Sequence, residues 1–325
     1  MLRFHHVYAE TISVEKGFYC KVYDYLANRK YKKPFSYLHY FVSVVYRRVL
    51  FSLASRGLSI PILARFGDKP FVLNGLNAQT SSAYFSNFKP CYEPEVQAAI
   101  CVFLPLKGFF VDVGSNWGHH ALTAVSRRSA YALLIEPNPY VFREILAIRR
   151  QLNLEERLSA INCAVGDREG VTTLHQVGFE SGVASTNQSF LASTVASGRW
   201  FERWVRLLTL SRTKKFEVDS YRLDEILKTK PSPDVVKIDV EGSELSALNG
   251  FVETIASSRP AIIFEAHTSE PNSRSVVELL HSFGYMIFRL IPHINENSLE
   301  LTEVRSLKPD QHLNLAAIHV TKIAY

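Results

Sequence analysis

The sequence predicts an α/β fold built on a doubly wound, mostly parallel sheet. From about Glu93 onward, apolar segments typical of buried strands alternate with segments that have helical periodicity. Such alternation is typical of βαβ units, whose helices cover both faces of a parallel sheet. Several predicted strands also end in an acidic residue, at the edge where open α/β sheets bind ligands. These acids are Asp112, Glu136, Asp239 and Glu265.

The composition of the 325-residue chain excludes several other classes of protein. Its net charge of +6 mildly favours an anionic partner, but no Lys/Arg block or basic–aromatic pattern of a nucleic-acid surface is present. The four cysteines are far apart and form no CxxC pair, which argues against a zinc ribbon or a disulfide framework. The first residues have no apolar core of a secretion signal, so the predicted location is cytoplasmic.

The chain divides into an N-terminal extension, residues 1–90, and a domain, residues 91–325. Within the extension, an uncharged apolar run is interrupted by Arg47 and Arg48 before it reaches the roughly 18 residues that a membrane span needs. We expect a helix over about 34–56 that packs on the domain or lies at a membrane surface, followed by short strands and turns. In the second case the protein is expected at the periphery of a membrane.

The predicted elements of the domain follow from its apolar periodicity. The strands are 109–113, 131–136, 158–165, 235–240, 261–266, 285–291 and 313–320, and the helices begin near residues 93, 118, 140, 243 and 273. Residues 177–216 interrupt this pattern with a polar stretch rich in Ser, Thr, Gly and Ala. Long insertions in compact domains are usually functional, so this stretch is a candidate substrate lid; the alternative is a tolerated surface insertion.

A glycine-punctuated turn follows the first strand of the domain. Gly114 and Gly118 let the backbone turn tightly and approach a ligand closely. Their GxxxG spacing differs from the GxGxxG pattern of dinucleotide-binding sites. Glu136 ends the second strand eighteen residues after Gly118, near the spacing at which an acid accepts hydrogen bonds from the ribose of an adenosine ligand. The alternative is a strand-end charge that caps the next helix.

The third strand ends in small and apolar residues. Ala164 and its neighbours could border an adenine ring, and Asn162 or Asp167 could form hydrogen bonds with its edge. An ordinary transition from strand to turn explains the same residues.

Acidic residues also follow the fourth and fifth strands. Asp239 and Glu241 lie at the carboxyl end of a strand that Lys237 alone interrupts with charge, and Glu265 and His267 end the next strand. Because Glu265 and His267 are two residues apart, they are expected on one face. Such groups can remove a proton from a substrate hydroxyl, or hold a divalent metal together with Asp239. A structural histidine is the alternative for His267.

Read together, five segments resemble the FkbM family of S-adenosylmethionine-dependent methyltransferases over about Glu93 to His267. The segments are DVGSNWG, LLIEPNP, VDSYRLDEI, VVKIDVEGSELSALNG and RPAIIFEAH. The most specific of them is the block from Lys237 to Gly250. The sequence departs from the family pattern at Trp117 and at His119-His120, which stand where smaller or tyrosine-containing neighbours are usual.

The resemblance implies a Rossmann-like class I methyltransferase with a seven-stranded sheet. It also implies S-adenosylmethionine bound near Asp112, Gly114, Asn116, Gly118 and Glu136, and O-methylation of a sugar, glycan or natural-product-like small molecule. The residues expected near the acceptor are Asp239 and Glu265, with His267 as base or orienting group and Glu241 in support. A metal is possible but not predicted. The alternatives are a nicotinamide-dependent oxidoreductase or sugar-nucleotide epimerase, and a non-catalytic cofactor-binding scaffold.

Overall fold

The computed structural model describes most of the predicted domain and a small part of the extension. The described residues are 2–5, 7, 12–14, 61–74, 92–177, 184–186, 213–267, 271–305 and 312–323. The helix predicted over 34–56 lies outside these residues, so its packing and its contact with membranes stay predictions. Within the described ranges, no helix combines the length and the apolar character needed to cross a bilayer.

Strands and helices alternate through the domain as the apolar periodicity predicts. In chain order the strands are β1 (Leu2–His5), β2 (Ile12–Val14), β3 (Pro61–Phe66), β4 (Lys69–Asn74), β5 (Phe109–Val113), β6 (Tyr131–Ile135), β7 (Leu158–Ile161), β8 (Ala164–Val165), β9 (Gly170–Val177), β10 (Ala184–Ser185), β11 (Thr213–Tyr221), β12 (Val235–Ile238), β13 (Ala261–His267), β14 (Tyr285–His293), β15 (Ser298–Glu303) and β16 (His312–His319). The α-helices are α1 (Pro94–Phe103), α2 (His119–Arg128), α3 (Pro139–Gln151), α4 (Leu223–Leu227), α5 (Glu244–Asn249), α6 (Val252–Ser258) and α7 (Pro271–Ser282).

The main sheet has nine strands in the order β1-β15-β14-β16-β13-β12-β5-β6-β7. The five strands from β13 to β7 are parallel, whereas β16, β14, β15 and β1 are joined by antiparallel pairing. The chain runs outward from β5 to β7 and then returns to place β12 on the other side of β5. This reversal of strand order beside β5 is where open α/β sheets form their ligand crevice.

Helices cover both faces of the sheet because successive residues of each buried strand point to opposite sides. Phe110 and Val235 belong to one apolar cluster, which includes residues of α1, α2 and α3. Val111 and Val236, one residue later, belong to the other cluster, which includes residues of α4, α5, α6 and α7. Fully burying one such side chain contributes about 1.5–3 kcal/mol, so these two layers hold the strand ends in place. The doubly wound α/β prediction is confirmed.

The structure adds two strands to the seven that the resemblance implies. β15 forms a hairpin with β14, and β1 then pairs with β15 as the edge strand of the sheet. Part of the predicted extension therefore belongs to the main sheet. β2, β3 and β4 form a separate three-stranded sheet, and β4 contacts α3 through a hydrogen bond of 2.8 Å from Val72 N to Gln151 Oε1.

Three local features differ from the sequence-based expectation. The strand predicted over 158–165 is divided into β7, which lies in the main sheet, and β8, which lies in another sheet. The segments at the two ends of the predicted insertion form an antiparallel pair of strands, β9 with β11. This pair belongs to a second sheet of order β10-β9-β11-β8. The single helix predicted from residue 243 is two helices, α5 and α6, separated at Gly250. A side chain at Gly250 would place its Cβ 2.1 Å from the Gly166 carbonyl oxygen, so the close approach of two backbone segments requires glycine there.

Candidate active site

A cleft lies at the carboxyl ends of β5, β6 and β12. The space between its walls, which is open to solvent, is about 620 Å³. The glycine turn lines it with Gly114 and Asn116, β6 with Glu136, and the loop after β12 with Asp239 and Glu241. Ala164 lines it as well, so the structure brings six of the predicted site residues to one crevice.

Gly114 allows the two loops of this crevice to touch. Its φ of 74° lies in the left-handed region, and its N–H donates to the Ile135 carbonyl at 2.9 Å. A Cβ at this position would lie 1.8 Å from the backbone carbonyl oxygen of Asp239. Only glycine therefore permits the turn after β5 to pack against the loop that carries Asp239.

Glu136 is held by two backbone N–H groups. Its Oε1 accepts a hydrogen bond of 2.8 Å from Asn138 N, and its Oε2 accepts one of 2.9 Å from Asn116 N. Burial raises the pKa of Glu136 to about 7, although both hydrogen bonds oppose this shift. Each carboxylate oxygen keeps further acceptor capacity, so the ionised group can receive two hydroxyl donors in the cleft.

Three other predicted cofactor residues support the cleft from behind its wall. Asp112 is fully buried under the sheet edge, 3.9 Å from Lys237 Nζ. Gly118 begins α2 with a φ of 92°, and a Cβ there would lie 2.7 Å from a methyl carbon of Leu134. Asn162 donates through its amide to the carbonyl of Glu136 at 2.7 Å. These contacts fix the shape of the turns, and contact of these three residues with a ligand stays a prediction.

The segments that follow β7 contribute an apolar wall, which the sequence analysis expected for an adenine site at the end of the third strand. Ala164 lines the cleft together with Cys163, Val165 and Leu174. The Asp167 carboxylate lies in the adjoining cavity, where Oδ1 accepts a hydrogen bond of 3.0 Å from Ser246 Oγ. The wall therefore offers an apolar surface of the kind that borders an aromatic base.

Part of the predicted lid reaches the cleft. Ser185 Oγ donates to the Glu241 carbonyl at 2.5 Å, and Thr186 Oγ1 lies 2.8 Å from Ser243 Oγ. Thr186 also lines the cleft. These two residues join the insertion to the loop after β12, while its residues 178–183 and 187–212 lie outside the described residues.

Asp239 and Glu265 lie side by side at the ends of neighbouring strands. β12 pairs with β13 so that Ile238 is opposite Phe264, and the two acids follow directly. Burial raises the pKa of Asp239 to about 6, Lys237 opposes this shift, and the charges of Glu265 and Glu93 add to it. A carboxylate with a pKa near neutrality is suited to accept a proton at physiological pH.

Glu241 lies in the loop at this edge of the cleft, and Glu244 is the first residue of α5, which follows that loop. Glu241 has a left-handed φ of 51°, and burial followed by the charge of Asp239 raises its pKa well above the usual range. Glu244 is buried, and its Oε1 accepts hydrogen bonds from Val240 N at 3.2 Å and Gly242 N at 3.1 Å. Glu244 therefore fixes the shape of the loop before α5.

His267 ends β13, paired in register with His312. Its side chain lies outside the described part of the structure, so its role as base or orienting group stays a prediction. Within the described residues, no group of three or more His, Cys, Asp or Glu side chains is placed to hold a metal ion.

The segment before α1 supplies site residues that the sequence analysis did not identify. The phenol of the half-buried Tyr92 has a raised pKa because of partial desolvation and of the nearby charges of Glu93, Asp239 and Glu265. Glu93 begins α1 in a left-handed conformation, and its carboxylate lies 2.8 Å from His120 Nε2. No periodicity or motif marks Tyr92 and Glu93, because their contacts depend on how α1 packs on α2.

His119 and His120, at which the sequence departs from the family pattern, are buried beside Tyr92 and Glu93. His119 Nε2 lies 2.8 Å from Gln97 Nε2, and its ring packs edge to face on Tyr92. Burial lowers the pKa of His119 well below its usual value and that of His120 to about 3, so both rings are neutral at physiological pH. They pack behind the acidic residues as uncharged groups.

Comparison with known proteins gives one family and one curated relative. The profile of the methyltransferase FkbM domain matches residues 112–287. The relative, a hexuronic acid methyltransferase of Haloferax volcanii called AglP, is 28% identical over 172 residues, which is 52% of this chain and 59% of the relative. The match thus spans less than two thirds of that protein's length.

Two solved structures are similar at lower levels. A methyltransferase FkbM from Methylobacillus flagellatus aligns with a TM-score of 0.40 and 16% identity over 66% of this chain and 44% of that one. A precorrin-6y C5,15-methyltransferase from Geobacter metallireducens aligns with a TM-score of 0.39 and 14% identity over 71% of this chain and 91% of that one.

Proposed function

The chain belongs to the FkbM family of methyltransferases, and from this premise we propose that it transfers the methyl group of S-adenosylmethionine to a hydroxyl of a sugar, glycan or related small molecule. The observation that carries the proposal is the location of Asp239, which lines the cleft and has a pKa raised to about 6. Membership of a methyltransferase family favours methyl transfer over the nicotinamide-dependent and scaffold alternatives.

The residues of the cleft fit S-adenosylmethionine. Glu136 offers a carboxylate for the two ribose hydroxyls, and the apolar wall that includes Ala164 and Val165 offers a surface for adenine. The cofactor also carries a positive sulfonium, which is favoured beside the acidic residues that surround Asp239. When bound, S-adenosylmethionine supplies an electrophilic methyl group on that sulfonium.

The chemistry left to the protein is alignment, exclusion of water and removal of one proton. The acceptor hydroxyl loses its proton as its oxygen forms a bond to the methyl carbon and the bond from that carbon to sulfur breaks. We assign the proton to Asp239, because this carboxylate is ionised above about pH 6 and lies at the wall of the cleft. A positioned general base contributes about 10²–10⁴-fold, and alignment about 7–11 kcal/mol in favourable cases.

A sugar or glycan acceptor is supported by the relative from Haloferax volcanii, whose name states that it methylates a hexuronic acid. Where the methyl acceptor is proposed to bind, several carboxylates can accept hydrogen bonds. Asp239 and Glu265 follow adjacent strands, and Glu241 lies in the loop after β12. Such groups match the hydroxyl donors of a carbohydrate. We further propose that the insertion, which contacts the cleft through Ser185 and Thr186, covers a bound acceptor.

The proposal is tested with methyl-labelled S-adenosylmethionine and a panel of acceptors. The panel contains glycosides, nucleotide sugars, small hydroxy acids and peptides, each with and without a chelator, and products are identified by mass. We expect label on a hydroxyl oxygen of a carbohydrate or related molecule. Label on nitrogen or on protein would refute this acceptor assignment, and binding of NAD in place of S-adenosylmethionine would refute the cofactor as well.

We predict that Glu136→Gln weakens binding of S-adenosylmethionine by about 10- to 150-fold, because hydrogen bonds to a charged group contribute about 1.5–3 kcal/mol each. Because the pKa of Glu136 is raised to about 7, the wild-type affinity should fall as the pH drops through 7 and the carboxylate gains a proton. Titration calorimetry at pH 6 and pH 8 measures both effects.

Comparing the pH dependence of Glu136→Gln with that of the wild type removes the contribution of the ligand's own ionisation. The exposed Glu156→Gln is the matched control and should bind like the wild type. Equal affinities in the wild type and Glu136→Gln at pH 8 would contradict the assignment of Glu136 to the ribose.

A further inference from the structure

Lys237 is a buried cation in the middle of a central parallel strand. Its exposed fraction is 4%, and the other residues of β12 are the apolar Val235, Val236 and Ile238. Its Nζ lies 2.8 Å from Asp239 Oδ2 and 3.9 Å from Asp112 Oδ1. Register explains the second distance, because Lys237 is paired with Asp112 of β5. The ammonium group therefore lies between two carboxylates.

Stability alone does not account for this arrangement. Removing charges from water is expensive, and replacing a buried ion pair by apolar residues is often neutral or stabilising. A strand covered on both faces is normally a continuous apolar run. Asp112 is fully buried, and neither of its carboxylate oxygens has a hydrogen-bond donor among the described residues. Lys237 compensates the negative charge of the Asp112 carboxylate, and its shortest contact is with the Asp239 carboxylate at the cleft.

We propose that Lys237 is a positioning residue for methyl transfer, whose ammonium group holds the Asp239 carboxylate ionised and fixed at the wall of the cleft, with Asp112 anchoring the ammonium group from behind. The inference rests on the proposed function, in which Asp239 takes the proton of the acceptor hydroxyl. Lys237 acts through Asp239 and needs no contact with the acceptor.

Besides burial, the carboxylates around Asp239 raise its pKa by electrostatic repulsion. Carboxylates face it from the segment before α1, from β5, β6 and β13, and from the loop after β12: Glu93, Asp112, Glu136, Glu265, Glu241 and Glu244. The phenol of Tyr92 and the neutral ring of His120 add no positive charge. Among the described residues, Lys237 is the one cation in an ion pair with Asp239. Its loss should therefore raise the pKa of Asp239 further.

The test is the pH dependence of turnover in Lys237→Met, which keeps an unbranched side chain and removes the charge. In the wild type we expect turnover to rise with pH near 6, as Asp239 loses its proton. In Lys237→Met this rise should shift upward by about 1–3 pH units, the usual effect of an opposite charge within ~4–6 Å. Lys228→Met removes an exposed lysine and should leave the profile unchanged.

A second variant guards against misfolding. Asp112→Asn combined with Lys237→Met removes both buried charges, so no carboxylate is left without compensation behind the cleft. An upward shift is again expected, smaller than in Lys237→Met because the repulsion between Asp112 and Asp239 is removed as well. Titration of ¹³C-labelled aspartate carboxyls, with the Asp239 signal identified by Asp239→Asn, measures the pKa without relying on turnover. An unchanged Asp239 titration in both variants would overturn the inference.

The two assays separate this inference from the proposed function. If the wild type methylates hydroxyl acceptors but the turnover profile of the Lys237 variants does not move, only the role of Lys237 is refuted. If the wild type methylates no hydroxyl acceptor, the proposed function fails, and with it the role of Lys237 in transfer.

Discussion

Asp239→Asn should lower kcat by about 10²–10⁴-fold, the usual contribution of a positioned general base. Asparagine has nearly the same shape, and its amide oxygen can still accept the hydrogen bond that Lys237 donates to Asp239 at 2.8 Å. The variant therefore removes the proton-accepting capacity and leaves the loop in place. The effect on the Kd of S-adenosylmethionine should be far smaller than the effect on kcat, because the proposed role of Asp239 is exerted on the acceptor oxygen during transfer.

Asp234→Asn is the matched control at the opposite end of the same strand. Its Oδ2 accepts a hydrogen bond of 2.8 Å from Phe109 N, and an asparagine oxygen can accept the same bond. Single-turnover kinetics with labelled cofactor should show wild-type rates for this control. Full activity in Asp239→Asn would refute the assignment of the base, while complete loss of cofactor binding would indicate that Asp239 acts mainly on the cofactor.

The central part of the main sheet could be predicted from sequence because its buried strands are apolar runs and turn signals precede the helices between them. The strand FFVDV, for example, runs into a glycine turn, and the structure has β5 and α2 at those positions. β1 and β15 could not be predicted in the same way. Their pairing depends on contact between the first residues and a hairpin almost 300 positions later, and no local pattern encodes such a contact.

The site was predictable where function places a residue at a strand end. Gly114, Asn116, Glu136, Ala164, Asp239 and Glu241 all line the cleft. Tyr92 and Glu93 were not predictable, because they reach the acidic residues through the packing of α1 on α2. Lys237 had a visible signal, a lysine within an apolar strand, but only the register with Asp112 reveals what it compensates.

Gly114→Ala should be among the most destabilising single changes in the domain. Two energetic costs are expected, one from the left-handed backbone and one from a steric clash. Gly67→Ala is a control that has only the first of them. A left-handed backbone costs a residue with a Cβ about 1–2 kcal/mol, and this cost also applies at Gly67, whose φ of 56° lies in the turn between β3 and β4. A Cβ at Gly67 meets nothing within 4 Å, whereas at Gly114 it would lie 1.8 Å from the Asp239 carbonyl oxygen.

Gly67→Ala should therefore lower the free energy of unfolding by about 1–2 kcal/mol and leave cofactor binding unchanged. Gly114→Ala should lower the free energy of unfolding by more than about 4 kcal/mol, a loss that single substitutions reach only through a severe local defect. Because neither backbone can yield without moving its loop, any folded fraction should also lose affinity for S-adenosylmethionine. Urea denaturation and calorimetry on the two variants measure these effects. Similar stability losses in both, with binding retained in Gly114→Ala, would mean that the Asp239 loop moves aside freely and does not form a fixed wall of the cleft.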